Sequence, residues 1–286
     1  MIEATGPAAA QRSNERMNKL LLRVITAVVL LAVLVVVFFK LPKSAAAGLL
    51  GAFVLMAAWE WSGFLRVEQI PRRAAYVALI LVLMALSLWL FPKWMPLWPL
   101  LSISLLWWAV AFLWVLRYPT PIGTAGGALA GVLVLIPAWA SLLTLLRNDQ
   151  HGPEYVLFVL AIVWAADIGA YFVGRRFGRV KLAPRVSPGK TWEGALGGVI
   201  AAAGAAWVGA RLLELPVVFL VPVGLSVAAI SIVGDLTVSM FKRSSGLKDS
   251  GYLFPGHGGV LDRVDGVTAA VPLFTLEVFW FGLVAS

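Results

Sequence analysis

The chain has 286 residues, of which 61% are hydrophobic and only 13% are charged, and its mean hydropathy is +0.91. Soluble domains are about half apolar and about a quarter charged, so this composition excludes an ordinary soluble domain and predicts an integral membrane protein. Cysteine is absent, which excludes disulfides and thiolate metal sites. In a membrane protein the net charge of +9 indicates basic cytoplasmic loops and anionic partners, and we expect no nucleic acid partner.

The N-terminal segment, Met1–Asn18, is polar, and residues 1–18 are expected to form a disordered extension. The first apolar run begins near Val24 and ends at Lys40, and no small-residue cleavage site follows it. This pattern predicts a retained membrane anchor, not a signal peptide that is removed.

Nine apolar runs can be marked along the chain, and each is about long enough to cross a bilayer as a helix. Because lipid offers no partner to open backbone groups, the sequence predicts an all-α polytopic bundle of about nine transmembrane helices. We expect spans 1–5 within residues 19–150, and a catalytic region at 151–286 with spans 6–9 and loops 175–193 and 242–265. The runs are Val24–Phe39, Ser44–Trp59, Ala74–Phe91, Leu97–Leu116, Ile122–Leu146, Tyr155–Gly174, Gly194–Ala210, Leu215–Phe241 and Val267–Ala285.

The basic residues predict the orientation of this bundle. With a cytoplasmic N-terminus and an external C-terminus, nine spans place all but five of the 23 lysines and arginines on the inside. Loops 175–193 and 242–265 are the most basic of the inside loops. We therefore expect a multi-pass protein of the cell inner membrane with its functional site on the cytoplasmic side. The five outside residues are Lys40, Lys43, Lys93, Arg147 and Arg211.

Carboxylates within or beside the apolar runs are the first candidates for chemistry. Asp167 and Asp235 lie near the predicted cytoplasmic ends of their spans, where a costly intramembrane carboxylate usually faces a cavity or a partner. Asp235 shares a helix face with Ser239, four residues on, and Asp262 shares one with Asp265. The aspartates at 235, 262 and 265 can hold one or two hard cations through oxygen. The alternative is ion pairing of these acids with Lys242, Arg243 or Arg263.

The stretch "SPGKTWEG", Ser187–Gly194, contains a Gly-Lys-Thr triplet. A nucleotide-triphosphatase phosphate loop is excluded, because Pro184 stands where that motif needs glycine and no strand is expected before it. Ser187, Lys190 and Thr191 can still bind phosphate at the start of the seventh helix. The alternative is a helix N-cap followed by a basic residue that flanks the membrane.

The glycine-rich stretch before the last span is the second anion-binding candidate. Gly256, Gly258 and Gly259 let the backbone approach a ligand closely, and their N–H groups can bind anions. His257 between them can contact phosphate or orient a ligand. The alternatives are simple loop flexibility and no role for the histidine. Two further acids have no assigned role and can make helix–helix contacts: Glu60 and Glu277.

The stretch Ser239–Asp265 closely resembles the signature of phosphatidate cytidylyltransferases, the CDP-diacylglycerol synthases. That signature is Ser, two residues, Lys-Arg, four residues, Lys-Asp, a small residue, a loop to His-Gly-Gly, and Asp-Arg-x-Asp, and every fixed position is met. The stretches "WAADIGAYFVGRRFG", "SPGKTWEG" and "GDLTVS" are also similar to this family. The resemblance extends from about Leu20 to the C-terminus.

The resemblance implies an enzyme that transfers the cytidylyl group of CTP to phosphatidic acid and releases pyrophosphate. It also implies Mg²⁺ with a K⁺ ion, and a homodimer. The expected metal ligands, which are also catalytic, are Asp235, Asp262 and Asp265. The expected catalytic cations are Lys242, Arg243 and Lys248. The expected substrate-binding residues are Asp167, Ser187, Lys190, Thr191, Ser239, Asp249, His257, Gly258, Gly259 and Arg263.

The chemistry fits this residue inventory. A phosphate monoester has a second pKa of about 6, so the lipid phosphate is already a dianion at neutral pH and needs no strong base. The chain accordingly offers two histidines and no cysteine. Competing hypotheses are a CTP-dependent polyprenol or dolichol kinase, an ether-lipid cytidylyltransferase, and a transporter that uses Asp167 and Asp235 as a relay. The transporter is disfavoured because these acids lie near one membrane face and no internal repeat is visible.

Overall fold

The computed structural model describes residues 29, 31–67, 69–91, 93, 95–251 and 258–282. Seven of the helices in these ranges, α2 to α8, are long and apolar enough to cross a membrane, which confirms the predicted class of helical membrane protein. The extension 1–18 and the start of the first apolar run lie outside the described residues. The helices are α1 Leu31–Lys40, α2 Lys43–Phe64, α3 Ile70–Leu90, α4 Trp98–Leu116, α5 Thr124–Arg147, α6 Gly152–Phe177, α7 Trp192–Leu212, α8 Val217–Ser244 and α9 Leu261–Trp280.

Consecutive helices from α2 to α9 run in opposite directions. The C-terminal ends of α2, α4, α6 and α8 therefore lie together with the N-terminal ends of α3, α5, α7 and α9, and we call this the site end. The Trp61 indole at the end of α2 donates to the Gly127 carbonyl at the start of α5, over 2.9 Å. At the opposite end, the Lys43 ammonium donates to the carbonyl of Asn148, 2.8 Å away, just after α5.

Most of the buried core forms one large cluster that is richest around α5, and a second, small cluster contains Leu97, Leu101 and Ala140. Near the site end, the rings of Trp61 and Phe241 lie 4.9 Å apart between centroids, and Trp114 contacts the same phenylalanine edge-on at 5.8 Å. In lipid, helices associate through close packing more than through the hydrophobic effect. Small residues accordingly line the α6–α7 contact, where a Cβ on Gly198 would lie 2.6 Å from the Ala166 carbonyl oxygen.

A short β-hairpin lies between α6 and α7 of the otherwise helical structure, so the expectation that no strand precedes "SPGKTWEG" is wrong. Strand β1, Lys181–Ala183, pairs antiparallel with β2, Ser187–Thr191, with Ala183 opposite Ser187. Pro184 begins the connecting turn, which the Val186 N–H closes by donating to the Ala183 carbonyl at 3.1 Å. The proline and glycine of this stretch predicted a loop. A turn with proline as the first of its two central residues is also compatible with a hairpin. The Gly-Lys-Thr triplet therefore lies within strand β2. A phosphate loop remains excluded, because Pro184 stands where that motif requires glycine.

Candidate active site

Helices α8 and α9 cross in close contact at the site end. A Cβ on Gly234 of α8 would lie 2.7 Å from the backbone oxygen of Asp265 and 2.9 Å from the Ala269 Cβ, so only glycine fits without displacement. Gly234 precedes Asp235 in the chain, and the crossing brings Asp235 and Asp265 close enough to interact electrostatically. Two of the three predicted metal-binding carboxylates therefore lie within electrostatic range of each other where the two helices approach through glycine.

Asp235 has an ion-pair partner in the hairpin and a hydroxyl partner on its own helix. Its Oδ2 forms an ion pair with the Lys190 ammonium of β2, and the Ser239 hydroxyl donates to its Oδ1 at 3.2 Å. This bond confirms that residues 235 and 239 share a helix face. Asp167 of α6, whose side chain is exposed, interacts electrostatically with Asp235, Lys190 and Arg263. Carboxylates from α6, α8 and α9 thus lie within electrostatic range of one lysine from the hairpin, and Asp235 is the one that pairs with it.

Asp262, in the first turn of α9, is almost enclosed, with only 7% of its side chain exposed. Its Oδ1 accepts from the Lys242 ammonium at 2.7 Å, so the alternative of ion pairing holds for this acid in the described structure. Its Oδ2 accepts the N–H groups of Ser250 and Gly259 at 2.9 and 3.1 Å. Gly258 has a φ of +81°, and a Cβ there would lie 2.8 Å from the same oxygen. The glycines therefore let the backbone approach this carboxylate closely.

Some of the remaining predicted site residues are exposed, and others form hydrogen bonds within the protein. Arg243 is exposed, and its Nε donates to the Val186 carbonyl at 3.4 Å, which ties the end of α8 to the hairpin. The Thr191 hydroxyl accepts the Gly194 N–H at 3.1 Å and caps α7, as the N-cap alternative expected. Ser187 is half-buried in β2. His257 lies outside the described residues. The other exposed residues of the set are Lys248, Asp249 and Arg263.

Glu60 of α2 belongs to this site although no motif singled it out. It is only 7% exposed, and its carboxylate accepts the N–H groups of Val260 and Leu261 at 2.8 Å each. The Ser250 hydroxyl donates to it at 2.7 Å. The available signal was a charged residue in an apolar run, which is rare without a partner. Glu277, by contrast, accepts only a bond from the Ser226 hydroxyl across α8 and α9 among the contacts described for it, which confirms the expected helix–helix contact.

The carboxylates of the site fit a divalent ion as a pair. Across the described ranges, no group of three or more His, Asp or Glu side chains is arranged to hold a metal. The pair Asp235 and Asp265 remains, and the Lys190 ammonium already occupies a cationic position against Asp235. Mg²⁺ is commonly bound through one or two carboxylates together with substrate phosphates and water, not by an all-protein cage. Two carboxylates whose coordination is completed by substrate phosphates and water therefore fit this ion.

The crossing glycine gives the first testable prediction. We expect Gly234→Ala to lower the free energy of unfolding by about 1–3 kcal/mol, since the added methyl would collide with the backbone of α9. The measurement is thermal unfolding of the purified protein in detergent. Gly204→Ala in α7 is the matched control, because a Cβ there has no neighbour within 4 Å. Equal melting temperatures for the two variants would contradict the tight crossing.

Comparison with known proteins gives a consistent family assignment. The sequence profile of the cytidylyltransferase family matches residues 21–281. A protein of Pseudomonas aeruginosa named phosphatidate cytidylyltransferase is 46% identical over 259 residues, which cover 88% of this chain and 94% of that protein. A protein of the same name from Haemophilus influenzae is 39% identical over 285 residues, covering 90% of this chain and 98% of the relative. One from Bacillus subtilis is 40% identical over 139 residues, covering 47% of this chain and 52% of the relative.

These matches include the site end as well as the membrane helices. The family profile extends over all the helices described above, from α1 to α9, and over the hairpin between α6 and α7. The resemblance to phosphatidate cytidylyltransferases, which the Ser239–Asp265 stretch indicated, is thereby confirmed, and it extends along nearly the whole chain. The chain belongs to the cytidylyltransferase family.

Proposed function

We propose that this protein transfers the cytidylyl group of CTP to phosphatidic acid and produces CDP-diacylglycerol and pyrophosphate. The observation that carries the proposal is the similarity to two proteins named phosphatidate cytidylyltransferase over 94% and 98% of their lengths. The geometry agrees with it, because basic and acidic side chains from three helices and a hairpin meet at one end of an apolar bundle. Such a site can receive a water-soluble nucleotide and a lipid headgroup together.

In the proposed reaction, an oxygen of the lipid phosphate forms a bond to the α-phosphorus of CTP. The bond from that phosphorus to the oxygen bridging to the β-phosphate breaks, and pyrophosphate leaves with the electron pair. The obstacle is the repulsion of two polyanions, so catalysis depends on charge neutralisation and in-line positioning. Lys190, Lys242, Arg243, Lys248 and Arg263 would supply the cationic surroundings of the phosphates.

A metal would complete this neutralisation. We assign Mg²⁺ to Asp235 and Asp265 first, because both oxygens of Asp262 are engaged by protein groups. Asp262 joins the ligand set only when Lys242 leaves its Oδ1. When bound, Mg²⁺ would stabilise the charge that develops on the attacked and leaving phosphate oxygens. We propose K⁺ as its companion ion, and we propose that Asp167, Ser187, Thr191, Ser239, Asp249, His257, Gly258 and Gly259 contribute to substrate binding or to its support.

We also propose that the site end faces the cytoplasm of a bacterial cell, in a multi-pass protein of the inner membrane with nine spans. The alternation of helix ends supports this, because the connections after α6 and α8 both lie at the site end, where arginines and lysines concentrate. CTP would then reach the site from the cytosol while the acyl chains stay in the bilayer. We also propose a division of the chain at residue 150 and the homodimer that the family resemblance implies.

The products test the proposed reaction. Purified protein would be incubated with phosphatidic acid and CTP labelled at the α-phosphate, with and without Mg²⁺, and the lipids extracted. We expect label in the lipid phase, an equal amount of free pyrophosphate, and neither without Mg²⁺. A lipid kinase would leave the label in water-soluble CDP, and that result would contradict the proposal. Substrate competition with an ether-linked lipid phosphate would separate the ether-lipid alternative.

The hairpin lysine gives a prediction about CTP. We expect Lys190→Ala to raise the apparent KM for CTP about tenfold, because the ammonium lies at the carboxylate pair where phosphate charge would be neutralised. The measurement is initial rate against CTP concentration at saturating phosphatidic acid. Lys181→Ala is the matched control, because Lys181 is exposed on strand β1 of the same hairpin, and it should keep the wild-type KM. An unchanged KM in Lys190→Ala would remove this residue from the site.

A further inference from the structure

We propose that Glu60 is a positioning residue of the active site, which fixes the first turn of α9 and so determines where Asp262 and Asp265 stand relative to Asp235. The inference rests on the proposed cytidylyltransferase activity and adds a residue that lies outside the motif Ser239–Asp265. Glu60 contacts none of the three aspartates directly in the described structure. It acts on the backbone that carries two of them.

The carboxylate of Glu60 caps α9 from a distant part of the chain. The first N–H groups of a helix have no partner within the helix, and Val260, which precedes α9, has a side chain without an acceptor. Glu60 Oε1 accepts the Val260 N–H and Oε2 accepts the Leu261 N–H, both at 2.8 Å. A carboxylate at this position also interacts favourably with the helix dipole. Asp262 follows immediately in the same turn, so the position of its side chain depends on this cap.

Ser250 connects Glu60 to Asp262. Its hydroxyl donates to Glu60 Oε2 at 2.7 Å, while its backbone N–H donates to Asp262 Oδ2 at 2.9 Å. The same Asp262 oxygen also accepts the Gly259 N–H. The two glycines of this cluster leave room for the Glu60 carboxylate, because a Cβ on Gly251 would lie 2.6 Å from Oε1 and one on Gly259 would collide with both carboxylate oxygens. One cluster thus holds the residues after α8 against the start of α9.

The part of α2 that carries Glu60 is itself held firmly. Trp61 is fully buried and bonds to α5 through the Gly127 carbonyl. Arg73 of α3 donates to the Trp59 carbonyl and to the Ser62 hydroxyl, each at 2.8 Å, and its guanidinium lies 4.3 Å from the centre of the Trp59 ring. The residues on both sides of Glu60 are therefore anchored to α3 and α5. A rigid base of this kind is what a positioning residue requires.

The test variant is Glu60→Gln, and Glu277→Gln is its matched control. Glutamine has a single acceptor oxygen, so at least one of the two α9 N–H groups loses its partner while the side-chain volume is kept. Glu277 is likewise an acid of a membrane helix, although it is half-buried, and its described contact is with Ser226, far along α9 from the site. Both variants would be purified in detergent with the wild-type protein and checked for folding by circular dichroism.

Two readouts separate positioning from a general loss of stability. We expect Glu60→Gln to lower kcat at least tenfold with less than a threefold change in the KM for CTP. We also expect Glu60→Gln to bind Mn²⁺ at least fivefold more weakly than the wild type does. This binding would be measured by electron paramagnetic resonance in the absence of nucleotide. Glu277→Gln should stay within twofold of wild type in both. Ser250→Ala, which removes only the hydroxyl, should weaken Mn²⁺ binding in the same direction by a smaller factor and serves where Glu60→Gln fails to fold.

Each outcome decides the inference. Equal Mn²⁺ affinity in wild type, Glu60→Gln and Ser250→Ala, or a loss of activity that only follows the folded fraction, overturns it. Absence of Mn²⁺ binding by the wild type also overturns it. If the wild type binds Mn²⁺ but forms no lipid product from CTP and phosphatidic acid, the proposed function fails while the Mn²⁺ comparison still tests the role of Glu60.

Discussion

We expect Asp262→Asn to lower the rate of pyrophosphate release by about 100-fold or more, while the protein still inserts and folds in the membrane. Both oxygens of this carboxylate are used, one by the Lys242 ammonium and the other by two backbone N–H groups. Asparagine has one oxygen and one NH₂ group, so the NH₂ must face either the ammonium or the N–H pair. Either arrangement displaces groups that surround the proposed reacting phosphates.

The size of this effect follows from the burial of the ion pair. The side chains of Lys242 and Asp262 are 12% and 7% exposed. Breaking a buried pair by removing one charge costs about 3–5 kcal/mol, and about 1.4 kcal/mol corresponds to a factor of ten in rate when the loss falls on the transition state. The measurement is single-turnover pyrophosphate release at saturating Mg²⁺.

The control for this prediction is Asp149→Asn. Asp149 pairs with Lys43 at the opposite end of the bundle, and its side chain is fully exposed. Exposed ion pairs contribute little to protein stability, so this variant should keep the wild-type rate. If Asp262→Asn also kept near-normal turnover, Asp262 would have no place in the catalytic machinery.

Asp235→Asn is expected to have an effect of at least the same size, together with a higher requirement for Mg²⁺. This residue interacts with Asp265 across the glycine crossing and pairs with Lys190, so its loss removes half of the carboxylate pair and leaves the lysine without its ion-pair partner. We expect kcat to fall about 100-fold or more, and the Mg²⁺ concentration for half-maximal rate to rise several-fold. The measurement is the rate as a function of Mg²⁺ at fixed CTP.

Ser239→Ala provides the comparison for this variant. It removes the hydroxyl that donates to Asp235 Oδ1 at 3.2 Å but leaves the carboxylate in place. A hydrogen bond to a charged carboxylate contributes about 1.5 kcal/mol at the low end of its range, which suits a bond of this length, so we expect a loss of about tenfold and little change in Mg²⁺ dependence. Equal losses in the two variants would show that the Asp235 charge has no special role.

Local patterns predicted much of this site from the sequence. The four-residue spacing of Asp235 and Ser239 placed both on one face of α8, and their hydrogen bond confirms it. Runs of apolar residues located helices α2 to α8, with ends that differ by a few residues from those in the structure. Periodicity and hydropathy depend on residues within one helix, so helix positions and shared helix faces can be predicted from a single sequence.

Contacts between distant segments were not predictable in this way. Glu60 lies 200 residues before the Val260 N–H that it caps, and nothing in its neighbourhood along the chain indicates that partner. The crossing at Gly234 is equally invisible, since a glycine in an apolar helix has several possible reasons. The hairpin was missed because proline and glycine in "SPGKT" are depleted in strands. The contacts that hold it, the pairing of β2 with β1 and the Arg243 bond to the Val186 carbonyl, join segments that strand propensity does not consider.

The central claim is that the carboxylates brought together at the α8–α9 crossing bind the divalent ion that lets CTP react with a lipid phosphate. Its most direct test is calorimetric titration of the purified protein with Mg²⁺, in parallel for the wild type and for a variant with both Asp235→Asn and Asp265→Asn. The account predicts saturable binding in the wild type and at least tenfold weaker binding in the double variant. No measurable binding in the wild type, or the same affinity in both proteins, would contradict it.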